Sequence, residues 1–188
     1  HYDRYNGRVN LTTELAKNLT LTTRLGGVVS KRSEPSTPGG MDSAGFKAFS
    51  SNALRFPGLW ATKLEDGSYG LGPKVLGTPL AWLDSGSFYD ENFDKFRSNV
   101  ELAFTPVKGL TLKAIGGYNY TGQQIRHYRS AMEITGGKKL GPSSLSDTMY
   151  KTVYKTFQAL ADYNVKFRKN DLSVLVGYTW EDESQRTV

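Results

Sequence analysis

The sequence contains no cysteine and no long apolar run. Without cysteine the protein has neither disulfides nor thiolate metal ligands. A transmembrane helix needs roughly 18 or more consecutive apolar residues, so the sequence also excludes that element. Membrane-spanning strands carry only an alternating pattern, so this exclusion does not extend to a membrane protein built from strands.

Apolar residues are scarce, at 38% of the 188 residues, but 12% of the chain is aromatic. The chain contains 11 tyrosines and 20 glycines. This composition is typical of a strand-rich protein with many turns, or of strands whose aromatic residues lie at a boundary between apolar and aqueous surroundings. The length suits one domain with a sizeable core.

Charge and histidine content argue against several function classes. The formal net charge is +6, but the Lys and Arg residues are scattered and form neither a basic helix nor an RNP-type motif, which disfavours nucleic-acid binding. The two histidines, His1 and His127, lack partners at catalytic or metal-binding spacing, and we interpret His127 as a loop or strand-end residue. We predict no catalytic residues, no metal site, no cofactor and no enzymatic activity. A loose acidic cluster does not have the spacing of a calcium loop, although a bound calcium ion is an alternative: Asp84, Asp90, Glu91 and Asp94.

The clearest pattern covers residues 93–122, where apolar and polar side chains alternate along two segments joined by Pro106–Gly109. Side chains alternate between the two faces of a strand, so this segment predicts a β-hairpin with one apolar and one polar face. Proline ends the pairing, and glycine supplies the backbone freedom of a short turn. The same pattern occurs twice more, in residues 5–30 and 157–181.

We therefore predict an all-β chain of six antiparallel strands in three hairpins, with turns near Lys17, Lys108 and Lys169. The predicted strands span residues 4–16, 19–32, 93–106, 110–125, 154–168 and 171–183, within a single segment covering 1–188. Two long irregular loops, 33–92 and 126–153, separate the hairpins, and Gly45–Leu54 is a weak candidate for a short helix.

Short turns on one side and long loops on the other are typical of outer-membrane β-barrels. Each apolar segment matches the ~9–11 residues that a tilted strand needs to cross a bilayer. Aromatic residues at the loop-proximal strand ends would form a girdle at the interface: Tyr118, Tyr120, Tyr178 and Trp180. The alternative is a soluble carbohydrate-binding or adhesive β-sandwich, because periodicity does not distinguish a face that meets lipid from one that meets a second sheet.

In the membrane interpretation, the two faces of the strands have different surroundings. We predict that a set of apolar residues faces lipid: Leu11, Leu21, Leu102, Leu112, Val165 and Val174. Charges are costly in lipid and ordinary in a wet lumen, so the charged residues are predicted to line the interior: Arg8, Arg24, Arg97, Glu101, Lys113, Asp162 and Lys166.

The first long loop is rich in aromatic residues, which favour contacts with substrates and partner proteins. The candidates are Trp60, Tyr69, Trp82, Phe88 and Tyr89. The alternative is that these side chains pack the loop against itself, as in other compact loops.

Several short segments resemble the barrel of SusC/RagA-type TonB-dependent outer-membrane transporters. The most distinctive is FTPVKGLTL at residues 104–112. Others are YNGRVN at 5–10, NLTL at 18–21, NDLSVLVGY at 170–178 preceding Glu181, and ALRFP at 53–57 followed by DGSY at 66–69. The resemblance covers most of the chain, but each motif is short.

The resemblance implies a barrel of about 22 strands with an N-terminal plug. It implies energy supplied through TonB, a lid lipoprotein of the SusD type, substrates such as oligosaccharides or peptides, and the outer membrane of a Gram-negative bacterium. No plug sequence, TonB box or aromatic final residue is found here, and six strands are too few to close such a barrel. We therefore expect a partial barrel that pairs with further strands of the same protein, surrounded by membrane lipid.

Overall fold

The computed structural model describes residues 1–37, 46–72, 77–168 and 170–188, and these residues form two compact units. The sheet unit comprises Arg4–Ser30, Phe93–Gln123 and Tyr150–Val188. The loop unit comprises His1–Asp3, Lys31–Asn92 and Gln124–Met149. Among the described residues, no helix has the length and apolar character needed to cross a membrane.

Six long strands form one antiparallel sheet, which confirms the predicted all-β fold. Along the chain the strands are β1 (Tyr2–Ala16), β2 (Leu19–Pro35), β3 (Phe88–Val107), β4 (Leu110–Arg129), β5 (Met132–Ile134), β6 (Lys138–Leu140), β7 (Ser144–Phe167) and β8 (Asn170–Thr187). The order in the large sheet is β1-β2-β3-β4-β7-β8, and β5 and β6 form a separate two-stranded sheet. Lys17 and Lys108 lie in the first two predicted turns, whereas Lys169 lies outside the described residues.

The third hairpin has a continuous antiparallel register. Phe157 lies opposite Trp180, Ala159 opposite Tyr178 and Val165 opposite Leu172. Residues opposite each other in an antiparallel pair project to the same face, so this register places the apolar residues of β7 and β8 together. The polar residues between them share the other face.

The apolar face of the sheet unit is as open as the polar face, where the Arg24 and Lys113 side chains are 53% and 41% exposed. The side chains of Leu102 and Leu112 are each 38% exposed, and Val176 is 64% exposed. Glu101, on the opposite face of β3, has a side chain that is only 21% exposed. A water-soluble sheet buries its apolar face, and the exposure of Leu102, Leu112 and Val176 departs from that pattern.

The strands β1 and β8 lie at the two edges of the six-stranded sheet. Every residue of β8 is exposed, as is every residue of β1 except Asp3. Neither strand contains proline, the residue that commonly blocks pairing at a sheet edge. Both edges are therefore chemically able to accept another strand.

The loop unit has a small packed core around Ala81, Trp82, Ile134 and Leu140. Ala81 and Trp82 belong to the short helix α2 (Pro79–Asp84), which packs against α1 (Phe46–Arg55). The buried Thr78 side chain caps α2 by accepting a hydrogen bond from the Ala81 N–H at 3.2 Å. Its hydroxyl also donates to the Thr62 carbonyl at 3.2 Å.

The two regions predicted as irregular loops contain more regular structure than expected. Helix α1 overlaps the weak prediction at Gly45–Leu54, of which Gly45 lies outside the described residues, but α2 was not predicted. A six-residue helix is too short to show a helical period, and its cap and core contacts define it. The second region contains the β5–β6 hairpin and the extensions of β4 to Arg129 and of β7 from Ser144. The β4 extension is polar, and the β7 extension mixes polar residues with Leu145, Met149 and Val153, so backbone pairing continues there without a clear alternating apolar pattern.

Candidate functional site

The exposed side of the loop unit carries an apolar cavity of about 520 Å³. Trp60 forms part of its wall and is 49% exposed. The other lining residues are small or apolar except for one hydroxyl: Ala61, Leu64, Gly70, Leu71, Gly72 and Thr135. An accessible indole beside an apolar surface can stack on a sugar ring or receive an apolar side chain. Trp60 is thus the predicted loop contact residue that is best placed to meet a ligand.

A tight turn at residues 64–70 shapes this cavity. The Leu64 N–H donates to the Ser68 carbonyl at 2.8 Å, and the Gly67 N–H donates to the Leu64 carbonyl at 2.9 Å. The Asp66 carboxylate accepts from both the N–H and the hydroxyl of Ser68, and these hydrogen bonds lower the pKa of Asp66. The turn is therefore held by its own backbone and side-chain hydrogen bonds.

Tyr69 connects this turn to two other elements of the loop unit. Its hydroxyl donates to Asp84 Oδ2 at 2.7 Å, and this hydrogen bond raises the pKa of Tyr69. Its carbonyl accepts from the N–H and the hydroxyl of Thr135, at 2.9 and 2.7 Å. The Lys63 ammonium lies 5.2 Å from its ring centre. Tyr69 therefore holds the wall of the cavity in place.

Trp82 does not lie on a contact surface. The structure places it in the core of the loop unit with only 4% of its surface exposed, so its prediction as a contact residue is wrong. The sequence around Trp82 has no periodic pattern of apolar residues. Helix α2 is also too short for such a pattern to show which of its faces is buried. For this residue, self-packing of the loop is the correct interpretation.

Phe88 and Tyr89 are half-buried and form ring contacts within the loop unit. Phe88 lies 5.6 Å from Tyr128 between ring centres, and Tyr89 meets His127 edge-on at 5.7 Å. The Arg32 guanidinium lies 5.7 Å from the Tyr89 ring centre. These contacts leave Phe88 and Tyr89 less available to a ligand than Trp60.

His127 lies near the end of β4, with its side chain packed among loop-unit residues. Its Nε2 shares a hydrogen bond with the buried Ser36 hydroxyl, and Arg129 Nε lies 3.4 Å from the same nitrogen. Burial, together with the Arg129 charge, lowers the pKa of His127. No group of three or more His, Asp or Glu side chains suited to a metal ion occurs in the described parts of the chain.

On the polar face of the sheet unit, three predicted lumen residues come together. Arg24 Nη1 lies 3.5 Å from Glu101 Oε2, and Lys113 Nζ lies 3.7 Å from Glu101 Oε1. Arg24 Nη1 also donates to Asn99 Oδ1 at 3.2 Å. One carboxylate therefore bridges two cations from different strands.

The other predicted lumen residues are distributed along the sheet unit. Asp162 Oδ1 accepts from Asn164 Nδ2 at 2.7 Å, and Lys166 Nζ lies 3.7 Å from Asp171. Arg8 and Arg97 line a cleft of about 370 Å³ together with Arg24. Alternation placed each of these arginines on a polar face, but the sequence did not show that three strands bring them together.

The predicted lipid-facing residues differ in exposure. Leu11, Leu102, Leu112 and Val174 are exposed, whereas Leu21 and Val165 are half-buried. A shallow apolar groove of about 470 Å³ runs over this part of the sheet unit. Its lining includes Leu102, Phe104, Leu112, Ala159, Val176 and Tyr178.

Comparison with known proteins gives matches among solved structures only. No family model and no curated protein sequence matches the chain. A structure of the RagAB peptide transporter matches with a TM-score of 0.68 and 20% identity, over 99% of this chain and 21% of that chain. The RagAB peptide importer in its "open-open" state gives a TM-score of 0.68 at 21% identity, and in its "closed-closed" state 0.67 at 21% identity. The chain spans 21% of the length of these proteins and has the fold of one segment of their transporter chains.

Proposed function

We propose that the chain is a wall segment of a TonB-dependent transporter in the outer membrane of a Gram-negative bacterium, and that it catalyses no reaction. The distribution of polarity on the six-stranded sheet carries this proposal. Leucines such as Leu102 and Leu112 are open to the surroundings on one face, and charged side chains gather on the other face, where Glu101 pairs with two cations. Lipid outside and water inside a barrel require this arrangement.

Aromatic residues support the same orientation. Tyr178 and Trp180 are exposed on the apolar face of β8, where tyrosine and tryptophan rings would meet lipid headgroups. A soluble β-sandwich would cover this face with a second sheet. The exposure of Val174, Val176 and Tyr178 argues against that alternative, since β8 is exposed along its whole length.

We further propose that the loop unit lies outside the cell and contacts either the nutrient or a lid lipoprotein of the SusD type. The open apolar cavity beside Trp60 supports this role, because it offers an aromatic surface to a large solute. An oligosaccharide or a peptide would suit the cavity. Coupling to TonB and completion of the barrel fall to parts of the transporter other than these strands.

Cell fractionation tests the membrane assignment. We expect the protein to stay with the outer-membrane fraction in salt and carbonate washes and to be released by detergent. A soluble periplasmic protein of the same cell serves as the control for incomplete washing. Release of the protein without detergent would contradict the proposal.

A pair of substitutions tests the loop cavity. Trp60→Ala removes the exposed ring from the cavity wall, whereas Leu59→Ala removes an apolar side chain that is 100% exposed and lies next to it in the chain. We expect Trp60→Ala to reduce nutrient uptake or lid capture about 10-fold, since truncating an interface hot spot costs ≥ ~1–2 kcal/mol. Leu59→Ala should have little effect.

Deletion of residues 56–88 provides a stronger version of the same test. It should abolish uptake or lid capture and leave a heat-resistant barrel in the membrane. If uptake and lid association both survive the deletion, the loop unit has only a packing role.

A further inference from the structure

The cleft on the polar face of the sheet unit is lined by arginines from three successive strands. Arg8 comes from β1, Arg24 from β2 and Arg97 from β3, and no carboxylate belongs to the lining. The remaining polar lining residues are neutral: Asn10, Ser98, Asn99, Asn119 and Thr156. The cleft therefore presents three positive charges and several uncharged hydrogen-bonding groups.

Only one of these three arginines has a carboxylate partner within the described residues. Arg24 lies 3.5 Å from Glu101, and Glu101 is shared with Lys113. Arg8 and Arg97 form no ion pair with any described residue, and both side chains are exposed. Two guanidinium groups with ten N–H donors between them thus remain available to a ligand.

Two glycines in the lining of this cleft place no side chain in it. Gly26 and Gly117 belong to its lining, and a Cβ added at Gly117 would stand 2.5 Å from Thr156 Cγ2. A side chain at residue 117 would therefore crowd the space between β4 and β7. Gly26 and Gly117 therefore add no side-chain volume to the cleft.

We propose that this cleft binds a carboxylate group of a transported solute. Guanidinium is planar and forms two parallel hydrogen bonds with a carboxylate, which gives both strength and orientation. The flanking asparagine amides can donate to the carboxylate or accept from neutral polar groups of the same solute. Access to the cleft from the barrel interior rests on the proposed function, whereas its selectivity for carboxylate does not.

Binding to the intact detergent-purified protein that carries this chain tests the proposal. The first probe pair is acetylated, amidated tetraglutamate and its tetraglutamine twin, both fluorescently labelled. The second pair is tetragalacturonate and a neutral galactose tetramer. Each pair differs in its carboxylates, and the two pairs distinguish a peptide source from a sugar-acid source.

We expect at least one acidic probe to bind about 10-fold more tightly than its neutral twin, since hydrogen bonds to charged groups are about twice as strong as neutral ones. Raising the ionic strength should weaken only the acidic probe, because salt screens exposed charges. Equal binding of the acidic and neutral members of both pairs would overturn the proposal, and this readout needs no altered protein.

Three double variants locate the binding. Arg8→Gln with Arg97→Gln should weaken the acidic probe about 10-fold or more and leave neutral-probe binding unchanged. Arg4→Gln with Arg186→Gln removes the same charge from residues outside the cleft lining and should change the affinity less than about 2-fold. Arg8→Lys with Arg97→Lys keeps the charge but not the planar fork, and it should give an intermediate affinity.

An equal loss in the Arg4/Arg186 control would mean that net charge, rather than the cleft, attracts the probe. Uptake measured in parallel separates this proposal from the proposed function. Selective carboxylate binding without uptake would contradict the proposed transport function and support the proposal that the cleft binds carboxylate. The opposite result is uptake and binding that are both equal for acidic and neutral probes. It would support the proposed transport function and contradict carboxylate binding by the cleft.

Discussion

Gly109, in the turn between β3 and β4, lies against the backbone of Asn164 on β7. Its carbonyl accepts a hydrogen bond from the Asn164 N–H at 2.7 Å. A Cβ added at Gly109 would stand within van der Waals overlap of the Asn164 carbonyl oxygen, and its φ of +90° lies in the region that favours glycine. The short turn is thus fixed both by its own conformation and by a neighbouring strand.

We predict that Gly109→Ala destabilises the intact protein by at least about 1–2 kcal/mol, the cost of a left-handed conformation for an L-residue. Displacement of the Asn164 backbone adds to this cost. Urea unfolding in lipid vesicles gives the free energy. Gly136→Ala carries a similar φ of +82° with open space around it, and Gly116→Ala has open space and no positive φ. A loss at Gly109 no larger than at Gly136 would show that the contact with Asn164 has no energetic consequence.

The orientation of the apolar face gives a second prediction. Arginine in place of Leu112 should lower the folding free energy in lipid by about 2–4 kcal/mol if the residue lies at the bilayer midplane. Thr111→Arg is the matched control, because the adjacent residue projects to the opposite face of β4. We expect it to cost far less. Equal costs at the two positions, or no cost at Leu112, would contradict the assignment of this face to lipid.

His127 gives the loop unit a predicted pH dependence. Its pKa is lowered by burial and then by Arg129, so the folded loop unit favours the neutral imidazole. Below about pH 6.5, the ordinary histidine pKa, the unfolded segment takes up a proton before the folded one does. The contribution of His127 to the free energy of unfolding of the loop unit is therefore fully present above that pH. It decreases as the pH is lowered toward the folded-state pKa.

Hydrogen exchange of loop-unit amides should detect this change as loss of protection between neutral and mildly acidic pH. The His127→Gln variant should show no such pH dependence in that range, because it cannot titrate. Protection that stays constant for the unmodified protein would mean that protonation of His127 does not compete with its contacts to Ser36 and Tyr89.

Alternation was sufficient to predict the sheet and the polar-face residues. Arg24, Glu101 and Lys113 were each assigned to one face by their neighbours, and the structure brings all three together. The cleft formed by Arg8, Arg24 and Arg97 depends on the stagger between three strands, which alternation along one strand does not specify. Trp82 was predicted to be a contact residue, but it is buried. Its burial depends on the tertiary contacts of α2, which no periodic pattern in the sequence indicates.

The exposed edge of β8 leads to the final prediction. In hydrocarbon each unpaired backbone N–H or C=O costs several kcal/mol, and a spanning strand has ~10 residues with about half of these groups pointing to each side. An unpaired edge would therefore cost more than the ~5–15 kcal/mol stability of a typical protein. We expect the outer edges of β1 and β8 to be paired in the membrane, either with further strands or with other copies of the chain.

Proline substitutions at two adjacent residues of β8 test this expectation in the intact protein. Successive N–H groups in a strand point to opposite sides, so Leu175→Pro and Val176→Pro remove one hydrogen bond toward β7 and one toward the outer edge. If the outer edge is paired, both variants should lose heat-resistant protein to a similar extent, since each breaks a ladder bond within hydrocarbon. If the edge is free, one of the two should fold like the unmodified protein. That single tolerated proline would contradict barrel closure through β8, because a paired strand has no spare N–H.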